Sequence, residues 1–141
     1  MSVSRQRVKE VADLQDWASN WARRRSDVAG LLLVGSWARA AAREDSDVDL
    51  VLLSDDPALY NTDSLSLLGT FVTTRTWGPT TEWRWRTISG LEIELSVATP
   101  DWAATSPLDA GTRRVITDGA RSLYDPRDLV ADLMTACAAP E

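Results

Sequence analysis

Between Ser4 and Arg25 the apolar positions Val8, Val11, Leu14, Ala18 and Trp21 recur at spacings of three and four, with charges between them. That period predicts an amphipathic helix packed on a sheet. The pattern then changes. Val28 to Val34, VAGLLLV, is a short continuous apolar run ending at Gly35, as a strand buried on both faces requires. SWARAAAR follows, rich in helix formers and opened by serine, a good N-cap, so a short helix is predicted from Ser36 to about Ala42. Ser46 to Leu53, SDVDLVLL, reads as a second strand ended by SDDP, and residues 54–66 as a polar connection with one helical turn.

Three further strand-like runs cover roughly Leu68 to Thr76, Thr81 to Ile88 and Leu91 to Ala98, the last two forming a hairpin joined at Ser89-Gly90. In EWRWR, Trp83 and Trp85 share one strand face, expected to be core, and Glu82, Arg84 and Arg86 the other, with the arginines expected in solvent. The remainder, containing GTRRVITDG, LYDP and an apolar-periodic RDLVADLMTAC, predicts one helix or turn and a C-terminal helix. There is no repeat, low-complexity segment or linker, so residues 1–141 are read as a single domain.

Composition narrows the chemistry. The net charge of −6 opposes non-specific binding to nucleic acid. One cysteine permits no internal disulfide, which suits a reducing, cytoplasmic setting, and no apolar run reaches membrane-spanning length. The absence of histidine removes the commonest general base and, with the lone cysteine, the usual zinc and haem ligand sets. Any metal must be a hard ion held by oxygen.

Two acids stand out against that background. In a strand, Asp47 and Asp49 point to one face while Val48, Leu50 and Leu52 point into core. Adjacent carboxylates in a half-buried strand repel unless a cation lies between them, and magnesium suits one or two carboxylates plus substrate phosphates. Gly35 ends a strand where a side chain would block close approach, and Ser36 opens a helix whose free N–H groups and positive dipole end favour an anion, so the pair is a candidate phosphate seat. A calcium loop starting at Asp45 is the nearest competing reading, but it needs glycine where the chain has Leu50.

Gly35-Ser36, then Asp47-Val48-Asp49, within a strand–helix–strand context, resembles the signature of the DNA polymerase beta-like nucleotidyltransferase superfamily, most closely its minimal nucleotidyltransferase members. The family's GSxARG appears here as GSWARA, which keeps Arg39 and places Ala40 where glycine is common. The resemblance implies an α+β fold, a mixed β-sheet of about five strands with helices packed mainly on one face. It also implies a third carboxylate on a neighbouring strand, and in GLEIELSV the candidates are Glu92 and Glu94, of which Glu94 is preferred. Glutamate there departs from the family's usual aspartate.

By the same resemblance, Asp47, Asp49 and Glu94 would be catalytic and hold magnesium, with manganese an alternative and two ions about 4 Å apart. Gly35, Ser36 and Arg39 would bind the nucleotide. The implied reaction is attack of an acceptor hydroxyl on the alpha-phosphate of a nucleoside triphosphate, ATP being the expected donor, with pyrophosphate leaving. With 141 residues leaving no room for an acceptor-gripping domain, a protein partner or a second copy is expected to complete the acceptor site. A toxin modified by an antitoxin-like enzyme is the first reading of that acceptor. An aminoglycoside-type small molecule is the second, and a nucleotide- or partner-binding module without catalysis the third.

Overall fold

The computed structural model describes residues 3–139. Helix α1 covers Arg5–Arg23 and is capped by Ser4, whose hydroxyl accepts from the Arg7 N–H at 3.1 Å. Its inner face is set by Val11, Ala18 and Ala22, all buried, whereas Val8 at its first turn is exposed. Strands β1 (Val28–Val34) and β2 (Val48–Ser54) form the centre of the sheet, and every residue in them is buried except Asp49, which is half-buried. The one charged residue in these two strands is thus a residue singled out by its chemistry.

Strands β3 (Thr70–Trp77), β4 (Thr80–Arg86) and β5 (Glu92–Ala98) follow, with β4 and β5 joined as the predicted hairpin through Thr87 to Leu91. Helix α2 spans Ala110–Thr117 and helix α3 Leu129–Ala138. Between them lies β6 (Ala120–Tyr124), which pairs antiparallel with β1. The sheet therefore has six strands in the order β3-β4-β5-β2-β1-β6, and it is mixed because β2 and β5 run parallel while the other pairs are antiparallel. β6 reads weakly from sequence because only five residues form it and none is fully buried.

The α+β class holds, with two of the three helices on one face. Leu31, Leu33, Leu50, Leu52, Ile93, Leu95 and Trp85 pack beneath α1 on one side of the sheet. Ala29, Leu32, Val51, Leu53 and Ala98 pack beneath α2 and α3 on the other. Trp85 is 1 % exposed and meets Phe71 edge-on with ring centroids 5.5 Å apart, so it is core, while Trp83 is half-buried and packs against that core.

Two expectations change. Ser36 to Ala42 is not a helix: the chain makes one hydrogen-bonded turn, with Gly35 O accepting from the N–H groups of Ala38 and Arg39, and Ala40 then adopts φ 58°. Helix-forming composition loses here to tethering, since the Trp37 indole donates to Ser46 O at 3.3 Å and the Arg43 N–H to Ser46 Oγ at 2.8 Å, drawing the chain back toward β2. The second strand begins at Val48 rather than Ser46, which places Asp47 just ahead of β2 and Asp49 within it. The connection over residues 54–66 carries one short 3-10 turn, Pro57–Leu59, and a second, Ser66–Leu68, leads into β3.

Candidate active site

The register of three strands builds the site. Asp49 of β2 pairs with Glu94 across the parallel seam, and Glu94 pairs with Arg84 of β4, so a row of acid, acid and base runs across one sheet face. Two residues before Asp49, Asp47 looks the same way. Asp47, Asp49 and Glu94 each present a carboxylate oxygen to a common point, and these atoms lie within 4.8 Å of one another. Glu92, on the same face of β5, lies outside that group and is held by Arg86 at 2.8 Å and Arg84 at 3.1 Å.

Burial, the nearby Glu94 and then Asp47 push the carboxyl of Asp49 up from 3.8 to about 7, only partly offset by Arg84. Burial also raises Glu94, with the charge of Glu82 adding to the shift. Glu92 is lowered by its hydrogen bonds from Arg86 and Arg84. Negative charge is costly on Asp49 and Glu94, and a hard divalent cation held by them and Asp47 through oxygen would supply the missing positive charge. No histidine or cysteine competes for the position.

The Gly35 turn abuts this group. Gly35 has φ +78°, and a Cβ there would lie 2.5 Å from Asp49 Oδ2. The residue must therefore be glycine on two grounds, backbone conformation and room for the carboxylate. Its N–H donates to Gly119 O at 3.2 Å, which ties the turn to the end of α2. Among the described residues the N–H groups of Ser36 and Trp37 have no backbone partner, so the turn retains two donors for an anion without the helix that was expected to supply them. Gly35 and Arg39 line the same open cleft as the three carboxylates, and the Arg39 guanidinium also reaches Asp118 O at 3.4 Å. Ser36 lies half-buried between them.

Arg84 is the residue that sequence reasoning placed wrongly. Instead of standing in solvent, its guanidinium enters the acidic group, with Nη1 donating to Asp47 Oδ2 at 2.7 Å and Nη2 to Glu94 Oε2 at 2.6 Å. Strand alternation did put Arg84 on the face opposite Trp83 and Trp85. What it could not reveal is that this face is also the face of Glu94, since that follows from the β4–β5 register.

Three acids whose carboxylate oxygens converge beside a tight glycine turn could hold a metal ion. The nucleotidyltransferase domain family matches the chain over residues 16–103, which takes in the Gly35 turn, Asp47, Asp49, Arg84 and Glu94. The chain belongs to that family. No curated protein matches it. Among the described residues no helix is long and apolar enough to cross a membrane.

Proposed function

We propose that the protein is a magnesium-dependent nucleotidyltransferase that moves AMP from ATP to a hydroxyl presented by a partner protein. The observation that carries this reading is the convergence of Asp47, Asp49 and Glu94 within 4.8 Å beside a turn with free N–H groups. Asp47, Asp49 and Glu94 are the residues that would hold the cation. When bound, divalent magnesium neutralises phosphate charge and lowers the pKa of the acceptor hydroxyl.

The Gly35–Ser36 turn and Arg39 grip the triphosphate and set the alpha-phosphate against the carboxylates. The acceptor oxygen attacks phosphorus from the side opposite the leaving group, a P–O bond forms to the acceptor, and the bond to pyrophosphate breaks. Glu94 receives the hydroxyl proton at a carboxylate oxygen, a role supported by the raised proton affinity that burial gives it. The cleft beside the carboxylates is open and has Trp77 and Trp102 in its lining, and this supports an acceptor carried on a macromolecule such as a cognate toxin.

The test is transfer of label from α-labelled ATP to a co-encoded partner protein in magnesium, the expected product being a labelled partner and one pyrophosphate per label. Label that appears instead on an aminoglycoside supports the small-molecule reading. The Arg84 bonds to Asp47 and Glu94 are the observation that favours a binding module without catalysis, and ATP binding with no pyrophosphate released under any acceptor would establish it.

A further inference from the structure

The acidic group meets its own charge with a side chain from the same sheet. Arg84 approaches from β4 and uses both prongs of its guanidinium, one on Asp47 at 2.7 Å and one on Glu94 at 2.6 Å. One of these acids precedes β2 and the other lies on β5, so the fork fixes their separation as well as compensating their charge. Arg84 makes no hydrogen bond to Asp49, whose carboxylate stays on the Gly35 side of the group.

A divalent cation on Asp47, Asp49 and Glu94 would compete for the carboxylates that Arg84 holds, and two cationic centres do not share the same oxygens at low cost. The structure contains a second place for the guanidinium. Glu92 already accepts from Arg84 Nη1 at 3.1 Å, and its other oxygen is steadied by Arg86 at 2.8 Å. Glu92 stands two residues before Glu94 on the same face of β5, outside the triad, so moving there costs Arg84 two contacts and preserves one. The Arg84 side chain is 26 % exposed, which leaves it room to rotate.

The geometry points to Arg84 as a resident counter-cation that holds Asp47 and Glu94 in ligating position before a divalent cation binds, and to Glu92 as the berth to which its guanidinium retires when that cation arrives. This rests on the divalent-cation reading given under Proposed function. Arg84 and Glu92 are positioning residues in this scheme, since they act on the cation through the triad.

Manganese affinity of the metal-stripped protein, read by the loss of the free-ion EPR signal, tests it without any need for an acceptor. Arg84→Gln is expected to tighten Mn2+ binding by about tenfold and to lower the melting temperature in EDTA, a deficit that saturating Mn2+ removes. Glu92→Gln is expected to weaken Mn2+ binding about fivefold in the wild-type background and to leave it unchanged in the Arg84→Gln background. Weakening by the same factor in both backgrounds would mean that Glu92 acts by its charge alone and would overturn the berth. Unchanged or weaker Mn2+ binding by Arg84→Gln would overturn the counter-cation. If Arg84→Gln does not fold, Arg84→Lys carries the cycle, because it retains the charge without the fork and is expected to tighten binding less. Mn2+ binding that survives Asp47→Asn at full strength would remove the triad as the cation site, and the proposed function with it. Binding that depends on Asp47 but gives an additive cycle removes only the berth.

Discussion

Gly35 and Asp49 are locked together: the carboxylate Oδ2 of Asp49 occupies the position a Cβ at residue 35 would crowd to 2.5 Å. The strand-ending turn and the acidic strand are thus one unit, and a change in either is felt by the other. Gly35→Ala should cost about 1–3 kcal/mol from the positive φ alone. It should also displace Asp49 and weaken divalent-cation binding. Urea unfolding and Mn2+ titration of the same variant check both, and an alanine variant with undiminished Mn2+ affinity would show that Asp49 does not need the room.

A pH dependence follows from Asp49. Its carboxyl in the folded, metal-free protein sits at about 7 against an ordinary 3.8, raised mainly by burial and then by Glu94 and Asp47. Between those values the folded state holds a proton that the unfolded state has lost, so this group makes the protein less stable as pH rises from about 4 to 7. Asp49→Asn removes the dependence. In EDTA the stability of the variant relative to wild type should therefore rise across that range, and saturating magnesium should abolish the trend. A gap that is constant or shrinks with pH would contradict it.

The two glutamates of β5 should separate in catalysis. At saturating magnesium, Glu94→Gln is expected to depress nucleotidyl transfer by about 10²-fold or more, because it removes both a cation ligand and a proton acceptor. Glu92→Gln should cost far less under those conditions. Initial rates of pyrophosphate release measure both, and the opposite order would move the third carboxylate to Glu92.

On the other side of the sheet, Trp85 supports β4 from within the core and is 1 % exposed. Trp85→Ala should destabilise the fold by about 3–5 kcal/mol. Denaturant midpoints of the variant and the wild type measure the loss.

Much of this was legible in the residues themselves. The apolar runs of β1 and β2 marked central strands, and Asp47 and Asp49 stood out as charged residues beside and within them. Glu94 came within reach because period-two alternation separates Glu92, Glu94 and Ser96 from Ile93, Leu95 and Val97. Two features were hidden for physical reasons. The Ser36–Ala42 segment has helical composition, but hydrogen bonds to Ser46 decide its path, and those are tertiary contacts. Arg84 enters the site through a register between β4 and β5 that alternation alone leaves open, since alternation assigns a face and not a neighbour.

The most direct test of the central claim is pyrophosphate release from ATP and magnesium in the presence of acceptor, compared between wild type, Asp47→Asn and Asp49→Asn. The expected result is release by the wild type that EDTA abolishes, and a loss of about 10²-fold or more in each variant with the fold intact by circular dichroism. Equal rates in all three proteins would contradict the assignment of these carboxylates to nucleotidyl transfer.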